Sequence, residues 1–268
     1  MTSGKLTPVM AVLGSLLVLF LAVPILGLAA GSSAGGVWQA LNQPAVRSAL
    51  WISVSAATAS TAFALLGGVP LGYLLARRQF PGRALLQGVV DMPVVVPHVV
   101  AGIALLVVLS PGAALGEAAG AVGLRFTDAF PGTVAAMLFV SAPFTVNAAR
   151  SAFEAVEPRL EKVSRSLGAG VFGTFWKVSL PLAARSIAAG AIMSWARAVS
   201  EFGAVLIIAY FPRTAPTLAY ERLTSEGLDA ARPVALLLVG LCLLVFALVR
   251  VALRRRTAPE GAQTHADH

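Results

Sequence analysis

The sequence predicts an all-α integral membrane protein of six transmembrane helices, and three observations carry that expectation. First, 57% hydrophobic and 12% charged residues, with a mean hydropathy of +0.83, leave too little polar surface to clothe a soluble globule of 268 residues. Second, six apolar runs reach the ~20 residues that cross a bilayer core as a helix: residues 9–30, 49–76, 84–109, 132–152, 183–210 and 233–253. Third, the basic residues are asymmetric. With the N-terminus inside, fourteen fall on the inner side (Lys5, Arg77, Arg78, Arg83, Arg150, Arg159, Lys162, Arg165, Lys177, Arg185, Arg250, Arg254, Arg255 and Arg256) and five on the outer (Arg47, Arg125, Arg213, Arg222 and Arg232). This positive-inside bias puts both termini in the cytoplasm. The formal charge of +8 is scattered in short clusters between apolar runs, so it reads as topology, with no nucleic-acid face.

The run 9–30 exceeds the ~7–15-residue apolar core of a signal peptide, so it is expected to stay as a first helix. With the outer loop after it, it forms a first unit, residues 1–43; a five-helix core follows over 44–253, and a polar tail, 254–268, is expected to be disordered. Small residues crowd 53–62 and 188–198, which favours close helix approach. Gly67, Gly68, Pro70 and Gly72 are expected to loosen the inner half of the second run. Pro93 and Pro97 interrupt the third. Because proline removes a backbone donor, such breaks occur where a water-filled path or neighbouring helices re-satisfy the chain, and both readings stand here. Asp91 and His98 flank this break and read as a solvated turn, while Arg150, near Asn147 at the inner end of the fourth run, can snorkel.

Arg197 and Glu201 lie four residues apart in the fifth run, on one helical face. One charge at a helix centre costs roughly 2.5–3.5 kcal/mol in a membrane, so pairing is demanded. The pair either lines or gates a polar path, with Pro97 and His98 as companions, or ties the bundle or a subunit interface together. Outer loops are short except 212–232, whose Arg213, Glu221, Arg222, Glu226 and Asp229 suit docking to an external partner or ordinary solvation equally. Cys242, the single cysteine, reads as a small packing residue.

Between the fourth and fifth runs lies a polar island, LEKVSRSLGAGVFGTFWKVSLP, residues 160–181. Leu160, Val163 and Leu167 fall at helical spacing, glycines interrupt from Gly168, and Phe172, Phe175 and Trp176 resume before Pro181, which is expected to stop the run. Two short amphipathic helices joined by a glycine bend follow from this pattern. Such a pair could lie on the membrane, pack on its own domain or enter a partner's groove. The chain has no G-x-x-x-x-G-K-[ST], H-E-x-x-H or G-x-S-x-G, and two of its three histidines lie in the tail. It is therefore expected to be non-catalytic and to carry no metal or other cofactor. An inward-facing island without a phosphate loop narrows the options to docking on a partner.

The island resembles the cytoplasmic EAA loop of ABC-importer permeases. Gly168, Val178, Leu180 and Pro181 match that loop's spacing, whereas its Glu-Ala-Ala triplet is replaced by Lys162, Val163 and Ser164, with Glu161 one place early. The stretches ARRQFPGRALLQGVVDMPVVVPHVVAGIALL, AMLFVSAPFTVNAARSAFEAVEPRLE and SWARAVSEFGAVLIIAYFPRTAPTLAYERLTSEGL resemble the molybdate/tungstate branch of the type I permeases, over roughly residues 44–250; sulfate permeases are close relatives of that branch. The resemblance implies a homodimer of six-helix subunits in the plasma membrane, two copies of a cytoplasmic ABC ATPase, and an external molybdate/tungstate-binding protein that delivers the anion. The segment 154–182 would be the coupling loop, with Leu160, Glu161, Lys162, Val163, Leu167, Gly168, Phe172 and Pro181 as the ATPase-coupling set. A stand-alone secondary transporter is the competing class; it should show inverted repeats, and none is visible in the sequence.

Overall fold

The computed structural model describes the backbone of residues 3–255 and the side-chain surroundings of residues 8–247, so the tail lies outside the described residues from 256 onward. Helices account for every described regular element. In chain order they are α1 (Ser3–Ala30), α2 (Ala34–Asn42), α3 (Pro44–Arg77), α4 (Arg83–Val95), α5 (His98–Leu109), α6 (Ala114–Ala121), α7 (Phe130–Ala155), α8 (Pro158–Ser166), α9 (Val171–Thr174), α10 (Leu180–Val199), α11 (Gly203–Ile208), α12 (Ala215–Ser225) and α13 (Leu228–Arg255). A π turn, Phe175–Ser179, joins α9 to α10. Five helical stretches are long and apolar enough to span a membrane, and the bent pair α4/α5 makes a sixth.

The helix α7 is the centre of the bundle, packed along α3 on one side and α10 on the other. Small residues set both contacts. A Cβ on Gly72 of α3 would lie 2.8 Å from Ala149 Cβ, and one on Gly190 of α10 would lie 2.1 Å from Ala148 Cβ. Ser141 of α7 ties the three helices, its hydroxyl 3.2 Å from Ser60 Oγ and its carbonyl accepting from Ser194 Oγ at 2.9 Å. The main core, including Ala56, Ala101, Met137, Val140, Ala198, Val205 and Ile208, sits where α3, α5, α7, α10 and α11 converge. By contrast, α1 is apolar on all sides and its spanning window is 0% buried, the pattern of a helix facing hydrocarbon or another chain.

Four expectations change. The glycines of the second run do not loosen it: α3 is one helix of 34 residues, and Gly68 and Gly72 are points of close approach to α7. The third run is not a single helix but two helices meeting at 115°, because Pro97 follows Val96 in extended backbone and begins a new helix axis. The fifth run, expected as one helix over 183–210, ends at Val199; the chain turns through residues 200–202 and starts the short α11, which packs on α5. Nor is 212–232 the one long connection. The segments before α3 and α7 carry α2 and α6, and α12 is anchored to the bundle by Ala215 N–H donating to Ser53 Oγ at 2.8 Å.

Candidate functional site

The island forms at one end of the bundle as α8, a bend over residues 167–170 and α9. Gly168 adopts φ +91°, a left-handed conformation that L side chains take at a cost of about 1–2 kcal/mol, and so turns the chain. Pro181 does not stop the second helix. The π turn before it shifts the hydrogen-bond register, Leu180 N–H reaching Phe175 O, and Pro181 enters the first turn of α10, where a missing donor is tolerated. Residues Val171–Val199 consequently run as one rod of 29 residues, roughly 43 Å long, from the island through the bundle.

Glu161 holds the island in place. Its side chain is only 6% exposed and lies 2.8 Å from Arg77 Nε, so it pairs with the last turn of α3. It also accepts from Ser179 Oγ at 2.8 Å and from Tyr73 Oη at 3.4 Å, with Arg165 at 3.7 Å. Arg77 Nη2 donates to Val156 O at 2.7 Å, closing the joint between α7 and α8. Beneath it Tyr73, Phe153 and Phe175 pack edge-on, with ring centroids 5.0–5.1 Å apart from Tyr73 to each of the other two. Glu161 therefore leaves the docking set: it faces its own subunit and is the island's anchor. Leu160, Val163, Leu167 and Phe172 do face outward, and Leu167 and Phe172 are 83% and 76% exposed. Val171 and Trp176 extend this ridge. Lys162 is exposed on the flank toward α3, and Pro181 is exposed at the base of α10.

Arg197 and Glu201 pair as expected, Nη2 to Oε2 at 2.6 Å. What the sequence did not place is the setting: the pair sits where the two helix breaks meet. Glu201 is fully buried and its Oε1 accepts from Ala204 N–H at 2.9 Å, capping α11. His98, the first residue of α5, brings Nδ1 within 3.1 Å of Glu201 Oε2 and 2.8 Å of Arg197 Nη2, so the solvated turn expected there is instead part of this cluster. Whether Nδ1 carries a proton decides if His98 donates to the carboxylate or accepts from the guanidinium. Close backbone approach holds the halves together: a Cβ on Gly102 would lie 2.8 Å from Ala204 O. Pro97 ends the extended link and has no N–H to give to the cluster; its carbonyl accepts from Ala101 N–H at 2.9 Å, within α5.

Asp91 also departs from the solvated reading. It accepts from Asn147 Nδ2 at 2.7 Å and Gln87 Nε2 at 2.8 Å, joining α4 to α7. Arg150 does not simply snorkel; it donates to Gln87 Oε1 and to Glu154 Oε1, both at 2.9 Å, with Arg83 3.7 Å from the same carboxylate. The need of a polar group at membrane depth for a partner could have suggested Asp91 with Asn147. No spacing rule could have joined Arg77 to Glu161 across 84 residues.

Comparison with known proteins is consistent with this architecture. A profile for the binding-protein-dependent transport system inner membrane component matches residues 68–259. The molybdate/tungstate transport system permease protein WtpB of Thermococcus kodakarensis is 47% identical over 250 residues, covering 92% of this chain and 96% of that one. Its namesake in Pyrococcus abyssi is 44% identical over 242 residues, covering 90% and 92%. Among solved structures, a chain of a bacterial alginate ABC transporter, in complex with an alginate pentasaccharide-bound periplasmic protein, superposes with a TM-score of 0.76 at 17% identity, covering 94% of this chain and 96% of that one. The bent α4/α5 pair, the island and the α10 rod thus sit in a type I ABC importer permease fold, and the chain belongs to the family of binding-protein-dependent transport system inner membrane components.

Proposed function

We propose that this chain forms, as a homodimer, the membrane path of an ATP-driven importer for molybdate and tungstate. A cytoplasmic ABC ATPase seats on the ridge of Leu160, Val163, Leu167 and Phe172, and an external binding protein delivers the anion at the other end. Both termini face the cytoplasm, in keeping with the fourteen-to-five distribution of basic residues. The chain itself neither hydrolyses ATP nor holds a cofactor.

The observation that carries this reading is the exposed apolar ridge on an anchored island that continues into a membrane-spanning rod. Exposed Leu167 and Phe172 at 83% and 76% belong in a partner's cleft, since the island itself is too polar to enter hydrocarbon. The Glu161–Arg77 joint makes the island and the ends of α3 and α7 one body. Displacing the ridge therefore displaces α10, whose last turn carries Arg197 into the junction with α5 and α11. Two arrangements of that junction would give the two openings that alternating access needs. The oxyanion assignment rests on the named relatives. Reconstitution with the cognate ATPase and binding protein, with molybdate, tungstate and sulfate in competition, tests it: molybdate or tungstate should dominate uptake, and preference for sulfate would reassign the anion.

A further inference from the structure

A second feature of the island lies beside the apolar ridge and shares Val171 with it. A pocket of about 190 Å³ opens between the end of α3 and α8, lined by Tyr73, Arg77, Arg78, Glu161, Lys162 and Arg165 among others. Four cations thus face one carboxylate, and that carboxylate is already engaged by Arg77, Ser179 and Tyr73. Arg78 and Lys162 are exposed and make no ion pair among the described residues. The C-terminal end of α3 offsets only about half a charge of this surplus. The volume is below the ~300–1,000 Å³ of sites that enclose a drug-sized ligand, so it suits one small anionic group and not a whole nucleotide. Depth supplies the rest. Arg77 is the last residue of a spanning helix, and Leu74, one turn earlier, is 41% exposed on its apolar flank. The pocket thus lies at the end of a helix long and apolar enough to span a membrane.

We propose that this pocket binds a phosphate group, that of an anionic phospholipid headgroup, with Arg78 and Lys162 as its principal contacts. Clusters of Lys and Arg immediately beyond a transmembrane helix recognise anionic lipid in this way. Occupancy neutralises the flank of the island. The inference needs no ATPase, so its failure would leave the docking reading untouched.

The test is native mass spectrometry of the purified full chain in detergent with added phosphatidylglycerol or phosphatidylcholine. Wild type should retain phosphatidylglycerol in preference, and the Arg78→Gln/Lys162→Gln double variant should lose that preference about tenfold or more. Both residues are exposed and outside the Glu161 anchor, so the variant should elute as folded protein; Arg125→Gln, at the other end of the bundle, should behave as wild type. Equal retention of the two lipids by wild type, or a preference unchanged in the double variant, would overturn the proposal. Millimolar inorganic phosphate should compete with the lipid; phosphate binding without any phosphatidylglycerol preference would overturn the lipid source.

Discussion

Glu161 and Arg77 form a largely buried pair, with side chains 6% and 12% exposed, at the joint of three helices. Removing one partner of such a pair strands the other and costs about 3–5 kcal/mol. Glu161→Ala or Arg77→Ala should each loosen the island, seen as faster tryptic cleavage at Lys162 and Arg165, and the double variant should lose less than the sum of the two. Strict additivity would show that the pair is not coupled. The same logic applies deeper in the bundle. Glu201 is fully buried against Arg197 and His98, so Arg197→Leu or Glu201→Leu alone should impair folding yield or transport more than Arg197→Leu/Glu201→Leu together. The spacing of Arg197 and Glu201 was legible because four residues is one helical turn. His98 was named beside them as a companion, but its direct contact was not legible, since it reaches them only through two helix breaks whose angles no local pattern specifies.

At the scale of elements, the bend of the island turns on one glycine. Gly168 sits at φ +91° with no atom within 4 Å of an added Cβ, so Gly168→Ala is strained by conformation alone, by about 1–2 kcal/mol. Gly170, at φ −67° and equally open, is the control: Gly170→Ala should be silent where Gly168→Ala weakens ATPase coupling. If both behave alike, the bend does not depend on the left-handed residue. Helix contacts give a sharper prediction, because Gly190 faces Ala148 with no room for a methyl group. Gly190→Val should force α10 from α7, costing about 1–3 kcal/mol or more and reducing the yield of monodisperse protein. The apolar runs were legible because hydrocarbon demands them, and the small-residue stretches foretold close packing. Where the helices break was less so: Pro97 did mark a break, but Pro70 lies inside an unbroken α3 and Pro181 inside a continuous rod. Pro181 is accommodated by the π turn that shifts the register before it, and Pro70, exposed on α3, leaves that helix unbroken; neither outcome is set by the local sequence.

The whole molecule is a closely packed three-helix centre, α3, α7 and α10, with exposed apolar faces around it and an exposed apolar ridge at one end. Its membrane character was written in composition; the ridge was written in the spacing of Leu160, Val163 and Leu167. That Glu161 points inward while its neighbours point outward was set by the fold, through Arg77 and Ser179. In the proposed function, force applied at this ridge by an ATPase moves an oxyanion through the bundle. The direct measurement is uptake of molybdate into proteoliposomes containing the chain, its ATPase and its binding protein, comparing wild type with Leu167→Ser/Phe172→Ser. Wild type should take up the anion only with ATP and both partners, and the ridge variant should fold yet lose both ATPase co-purification and uptake. Uptake that persists in the ridge variant, or that proceeds without the ATPase, would show that the ridge does not couple ATP to transport.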